Sequence, residues 1–350
     1  MSDTPEMPVF DRREFMSKAG RAAVLASAAV AAGSLVEGYS NVLAASAFTR
    51  AAKQFPLKLQ LPWLENVQAA GEFIAEAEGY YEHNHLDVTL LSGGPTVSIE
   101  PVVVAGTAFV GLSSADVVAR ARLQGAPLKI IAAQYQKNPY TVISHADRPI
   151  RSPKELVGKT IGVSSSNLTV YDIMLKLNHV DPSKVTRVPV QFDPTPLIDG
   201  EVDAWLGYIT SDAVTLKLAK FPMHTFLLSD FGYHIWGDVY ETTEERISKY
   251  RGELVNFLRA EREGWNKDIK DPKLGATLAI KRFGKNLGLT MKEELLQSKE
   301  QVPLMLTPET RKHGLLWMSR AGIEQNIATM RVAGIKAPRD LFDTSLLEAL

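Results

Sequence analysis

Between residues 57 and 61 apolar and polar side chains alternate, Leu57, Leu59 and Leu61 against Lys58 and Gln60. This is the period of a β-strand with one buried face. Pro62 ends it, because proline cannot donate to a ladder. Val67, Ala70, Phe73, Ile74, Ala77, Tyr80 and Tyr81 then recur at helical spacing. Residues 87–91 read as a second strand, and Gly93-Gly94-Pro95 turns the chain. A strand–helix–strand unit of this length predicts a right-handed parallel crossover. It puts residues 63–66 at the carboxyl end of the first strand, where open α/β sheets bind ligands.

The pattern repeats. A short helix over 97–105 closes at Gly106, a strand runs over 108–112, and Ser113 or Ser114 can cap a helix over 115–124. Residues 128–133 form an apolar strand suited to the middle of a sheet, and 140–144 is extended. A similar run starts at Arg151. Ser152-Pro153-Lys154-Glu155 reads as a capping box. Strands over 159–164, 185–190, 202–207 and 223–228 alternate with helical stretches over 169–179, 196–200 and 210–219. An extended stretch over 228–236 makes a second crossing. From about Thr242 the chain turns helical, with cap signals at Thr242, Asp271-Pro272, Thr290 and Thr307-Pro308. No strand follows in sequence, so these helices are expected on the outside of an existing lobe.

Composition narrows the function. The 350 residues can bury a sizeable core, and two lobes are expected. A formal net charge of −1, without a basic run or tail, argues against nucleic acid. The chain has no cysteine, which removes disulfides, thiolate metal sites and cysteine nucleophiles. Arg12 and Arg13 precede an alanine-rich, weakly apolar run over 19–36, and Val42-Leu43-Ala44 or Ala45-Ser46-Ala47 has the small-residue pattern of a cleavage site. The segment 1–47 resembles a twin-arginine export signal, with a mature protein starting near residue 45–48. The alternative is an amphipathic helix or an anchor, but Gly33, Ser34 and Glu37 interrupt the run.

Trp63…Asn66, Gly79-Tyr80-Tyr81, Leu86-Asp87-Val88, Gly93-Gly94-Pro95, Val104-Ala105-Gly106, Gly111…Asp116, Gly125-Ala126-Pro127-Leu128, Gly200-Glu201-Val202-Asp203-Ala204 and Gly264-Trp265 follow one another in order. That ordered set resembles the ABC-importer solute-binding proteins that serve nitrate, sulfonate, taurine and thiamine-pyrimidine precursors. The resemblance implies an α/β, type 2 periplasmic-binding-protein fold: two α/β lobes joined by a hinge, with a C-terminal helical extension. Lobe 1 would comprise 48–142 plus 234–350, and lobe 2 143–233. It further implies a periplasmic monomer that hands its ligand to a membrane permease, without cofactor or catalysis. Where the family usually has glycine before Leu-Asp-Val, this chain has Asn84-His85, and Asn84 is the residue suited to a left-handed turn.

Ligand capture requires groups from both lobes. The candidates are Trp63, Asn66, Gly94, Ser113, Ser114, Asp116 and Gln136 from lobe 1, and Ser164, Ser165, Trp205 and Tyr208 from lobe 2. The serines lie before helices, where hydroxyls and free N–H groups can bind an anion or a carbonyl oxygen; each can also be only a cap. Trp63, Trp205 and Tyr208 offer ring faces for a heterocycle, although Trp205 also fits a sheet core. The candidate loops lack arginine, which favours a pyrimidine-like ring over sulfonate, taurine or nitrate. His83-Asn84-His85 reads as an exposed turn, not a metal site. A fungal thiamine-pyrimidine enzyme of similar fold relies on a cysteine-rich motif that this chain lacks, and there is no Gly-x-Ser-x-Gly elbow. A receptor that reports ligand to a sensor partner would look identical in sequence.

Overall fold

The computed structural model describes residues 54–94, 96–191 and 193–350; the expected export signal lies outside them. The strands are β1 (Phe55–Gln60), β2 (Leu86–Leu91), β3 (Val110–Ser113), β4 (Leu128–Ala133), β5 (Tyr140–His145), β6 (Thr160–Ser164), β7 (Thr186–Val190), β8 (Ala204–Tyr208), β9 (Met223–Leu227) and β10 (Val239–Thr243). They form two five-stranded sheets, in the orders β2-β1-β3-β10-β4 and β7-β6-β8-β5-β9. In each lobe the strands of the local crossovers run parallel: β1 beside β2 and β3, β6 beside β7 and β8. The fourth place in each sheet is filled by the strand that has just arrived from the other lobe. Both arrivals, β5 and β10, run antiparallel to their two neighbours. The lobes are therefore tied by two crossings, residues 134–139 and 228–238.

Helices α1 (Ala70–Ala77), α2 (Tyr80–His83), α3 (Ile99–Val104) and α4 (Ala115–Leu123) accompany the first sheet. Helices α5 (Leu168–Leu177), α6 (Thr195–Ile198) and α7 (Asp212–Leu218) accompany the second. A tail follows: α8 (Glu244–Lys249), α9 (Arg251–Lys270), α10 (Pro272–Leu278), α11 (Met291–Met305), α12 (Pro308–His313) and α13 (Arg320–Val332). The alternation in β1 has its expected consequence, with Leu57 and Leu59 buried and Lys58 exposed. Gln60 is buried as well, because its amide donates to the carbonyl oxygens of Leu91 and Ser92.

Strand β10 corrects the expectation that no strand lies beyond the second crossing. All five of its residues are buried. Its pattern hid it: Glu241 sits mid-strand at 0 % exposure and two threonines follow. Thr242 is no cap; its hydroxyl donates to the Phe109 carbonyl at 2.8 Å. Thr243 caps α8 instead, accepting from the Arg246 N–H. The capping box at Ser152 also fails. Glu155 accepts from the Arg151 N–H, and the Ser152 side chain caps no N–H of the turn. At the turn before β2 the left-handed residue is His85 (φ 61°), while Asn84 stays at φ −93°.

The tail does more than coat lobe 1. Helix α9 packs along α1, and α11 reaches back to the β1 loop, where Glu294 accepts from the Val67 N–H at 2.8 Å and Gln301 donates to the Val67 carbonyl at 2.7 Å. The Leu304 carbonyl has no helical donor four residues on, where Pro308 stands. It accepts instead from the N–H groups of Gln136 and Lys137 in the first crossing. On α13, the Asn326 side chain accepts from the Trp236 N–H and the Thr329 hydroxyl from the His234 N–H, both in the second crossing. The tail thus braces both crossings.

Candidate functional site

The carboxyl ends of both sheets face the crossings. In lobe 1 the loop after β1 carries Trp63, 41 % exposed, and nests on the loop after β2. Gly93 permits that approach: a Cβ there would lie 2.4 Å from the Leu61 carbonyl oxygen. Gly94, next in line, takes φ 139°.

In lobe 2 the antiparallel pairing of β5 with β8 sets Tyr140 directly opposite Tyr208. Residues so paired bring their side chains together. The rings stand 4.4 Å apart at 31°, and Tyr233 of the second crossing meets Tyr140 edge-on at 6.1 Å. The Tyr140 hydroxyl donates to Asn167 Oδ1 at 3.1 Å. Tyr208 keeps 37 % of its surface open, and desolvation by the surrounding protein pushes its pKa well above the ordinary value. Burial raises Tyr233 well above its usual range too, and pushes Tyr140 up to about 12. The carboxylates of Asp116, Asp212 and Asp238 and the guanidinium of Arg120 act on the three tyrosines.

The other candidates divide. Ser113 is buried and donates to Glu100, and Ser114 donates to Asp116 Oδ1 at 2.6 Å. Neither hydroxyl caps α4, and the Ala115 N–H there is taken by the Trp236 carbonyl. Asn66 caps the turn after Trp63, accepting from the Gln68 N–H at 2.9 Å. Gln136 belongs to the hinge, its amide donating to the carbonyls of Ala133 and Trp317. Ser164 is the buried last residue of β6, and Ser165 follows it, exposed. Trp205 is core, not a ring partner for a ligand: it is 2 % exposed, its Nε1 donates to Asp212 at 2.9 Å, and its ring lies against Gly162. No ring contact joins Trp63 to the tyrosines among the described residues. Tyr140, Gln68 and Asp238 were not among the candidates. A tyrosine opening an extended stretch was the one signal available for Tyr140. Nothing in sequence brings Gln68 to Asp238, 170 positions away.

A model of the NMT1/THI5-like family matches residues 66–274, more than half of the chain. The chain belongs to the NMT1/THI5-like family. Among curated relatives, it is 24 % identical over 293 residues to the riboflavin-binding protein RibY of Chloroflexus aurantiacus, covering 81 % of this chain and 82 % of that one. It is 25 % identical over 223 residues to a formylaminopyrimidine-binding protein of Halalkalibacterium halodurans, covering 62 % and 67 %. It is also 23 % identical over 161 residues to a 4-amino-5-hydroxymethyl-2-methylpyrimidine phosphate synthase of Legionella pneumophila, covering 45 % and 51 %. The solved structure of the periplasmic aliphatic sulphonate binding protein SsuA from Escherichia coli superposes with a TM-score of 0.61 at 12 % identity, covering 83 % of this chain and 92 % of that one. The fold is that of the periplasmic binding proteins.

This NMT1/THI5-like chain offers ring faces and hydrogen-bond acceptors where its lobes meet. Among the described residues no group of three or more His, Asp or Glu side chains is arranged to hold a metal ion, and no helix is long and apolar enough to cross a membrane. Lys217 of α7 and Glu300 of α11 form an ion pair that joins the lobes away from the crossings. Exposed pairs contribute about 0.2–1 kcal/mol. Glu300→Ala should therefore raise the ratio of open to closed forms by no more than about fivefold, read as a small increase in radius of gyration by X-ray scattering. A fully extended variant would show that this pair alone holds the lobes together.

Proposed function

We propose that the protein is the solute-binding component of an ABC import system. It captures a small heteroaromatic molecule of the pyrimidine or flavin kind between its lobes and presents the closed form to a membrane permease. The observation that carries this reading is the tyrosine cluster Tyr140–Tyr208–Tyr233 at the meeting of the lobes, edged by Asp116 and Asp238. Ring faces attract flat heterocycles, and carboxylates accept from their N–H groups. The same carboxylates disfavour a sulfonate or nitrate, and the two lobe 1 serine hydroxyls, Ser113 and Ser114, are donated to Glu100 and Asp116. The names of the Chloroflexus and Halalkalibacterium relatives, both for binders of aromatic heterocycles, support it. Trp63 is the exposed lobe 1 ring available to cover the ligand's other face. Tyrosine hydroxyls held protonated at neutral pH are poor bases, which supports capture over catalysis. The protein acts as a periplasmic monomer, exported by the signal in residues 1–47. Lobe 2 begins with β5 at residue 140, three residues before the expected 143, and lobe 1 is the rest of the mature chain outside the two crossings. Ligand bound to both lobes shifts the population toward the closed form.

The test is a thermal-shift panel on protein refolded from denaturant, with pyrimidines, riboflavin, taurine, an alkanesulfonate and nitrate. A cognate ring at 100 times its dissociation constant should stabilise the fold by about 2.7 kcal/mol. Tyr208→Ala should weaken that ring's affinity by about tenfold. A response confined to sulfonates or nitrate would overturn the heteroaromatic reading.

A further inference from the structure

Asp238 stands where the second crossing enters β10. Its backbone takes φ 47°, a left-handed conformation that glycine adopts at less cost than aspartate. Strain of this kind persists where the surroundings over-determine it, often at a ligand clamp. The surroundings here are specific. Asp238 Oδ2 accepts from Gln68 Nε2 at 2.8 Å. The Gln68 carbonyl accepts from Gln134 Nε2 at 3.2 Å, and the Asp238 carbonyl from the Gln134 N–H at 3.0 Å. One clamp thus joins the loop after β1 to both crossings.

Two acceptors in the clamp are left over. No donor among the described residues reaches Asp238 Oδ1. Gln134, 1 % exposed, has an Oε1 that is buried without a hydrogen-bond partner. Gly237, the neighbour of Asp238, lies against Pro139, whose carbonyl accepts at 2.9 Å from the N–H of Ile209, next to Tyr208, so the clamp and the Tyr208 ring flank one junction. A buried acceptor without a donor is costly, so the retention of Gln134 Oε1, next to an Asp238 Oδ1 that only solvent can reach, calls for a donor that arrives from outside.

We propose that Asp238 determines specificity by accepting, through Oδ1, a hydrogen bond from an N–H on the edge of a heteroaromatic ligand stacked on Tyr208. This rests on the heteroaromatic reading above and deepens it. The site selects rings bearing an amino or imide N–H and rejects the same rings without one. Gln68 is the positioning residue, since it holds Oδ2 and thereby aims Oδ1.

Titration calorimetry on the refolded full chain tests this with two matched pairs. One is 4-amino-5-hydroxymethyl-2-methylpyrimidine and its 4-deamino analogue; the other is riboflavin and 3-methylriboflavin. Wild type should favour the N–H member of the pair it binds by about tenfold to a hundredfold, the range for a hydrogen bond to a charged acceptor. Asp238→Asn should erase that preference, because an amide that keeps its oxygen on Gln68 presents NH2 to the ligand's N–H. Asp238→Gly should erase it too while leaving Tm unchanged or higher, since the left-handed backbone is relieved. That combination separates lost recognition from lost folding. If wild type binds both members equally, or both variants keep the preference, the role of Asp238 is overturned while the heteroaromatic reading stands. If wild type binds none of the four rings, that reading falls and this inference with it.

Discussion

Melted at pH 5 and again at pH 8, the protein should be more stable in acid, by about 3 kcal/mol or more and roughly 5–10 °C in Tm. The cause is a set of buried carboxyls. Burial pushes Glu72, Asp268 and Glu294 up to about 7 and Asp238 up to about 6, and drives Glu241 and Glu261 well above the carboxylate range. The hydrogen bonds agree. Tyr81 donates to Glu261, while the single hydroxyl proton of Tyr240 faces Glu72 Oε1 at 2.7 Å and Glu261 Oε2 at 3.2 Å. A proton on one of the two acids supplies the second bond. Both oxygens of Glu241 and both of Asp268 lack donors altogether. When the folded pKa is raised, the unfolded chain ionises first. The stabilisation is then complete below about pH 4 and is lost as pH rises through the folded values near 6 to 7. Groups shifted the other way act elsewhere. Asp203, Glu244 and Asp340 are lowered, so their contribution fails only below the ordinary carboxylate range. His234 is lowered by burial and does oppose the trend below pH 6.5, but it is one half-buried group against several buried acids. Glu261→Gln should flatten the profile by about one group's worth, close to 1.4 kcal/mol per pH unit. Calorimetric scans from pH 5 to 8 decide the matter. A Tm that is flat or rises with pH would mean that these acids are ionised and paired in the folded state.

The same buried acids show where sequence reading stopped. Strands with a local signature were legible: the alternation in β1 and the apolar run Ile130–Ala133 of β4 each fix their own burial. Strand β10 was not, because Val-Tyr-Glu-Thr-Thr looks like a helix start until β3 and β4 enclose Glu241 on both sides. The site divides along the same line. Tyr208 is marked in the sequence as a candidate ring, and it does end a strand, β8. Trp205, three residues earlier, points to the opposite face of that strand, so one pattern could not serve both. Tyr140 becomes a candidate only through its register against β8, and Asp238 only through a crossing that carries it to Gln68. Periodicity reports which face of an element is buried. It does not report which elements meet, and a cleft is made where elements meet.

Gly264→Ala should cost about 3 kcal/mol or more, although alanine is the better helix former by about 1 kcal/mol. Helices α1 and α9 touch backbone to side. A Cβ on Gly264 would sit 2.1 Å from the Gly71 carbonyl oxygen and 3.2 Å from the Ala75 Cβ. Gly71 is equally constrained, since a Cβ there would fall 2.4 Å from the ring of Trp265, which is fully buried. A carbonyl in a helix cannot rotate away, so the two helices must separate, and packed cores resist such shifts. The displacement would also travel. The turn leading into α1 holds Val67, tied to Glu294 and Gln301 of the tail, and Gln68, which clamps Asp238. Ligand affinity should therefore fall along with stability. Gly252 is the control in the same helix: a Cβ there meets nothing within 4 Å. Gly252→Ala should leave Tm unchanged or raise it slightly, by up to about 1 kcal/mol of stability. Urea unfolding of the two variants side by side gives opposite signs if space decides at Gly264. Small effects of the same sign at both positions would mean that α1 and α9 are not in contact there.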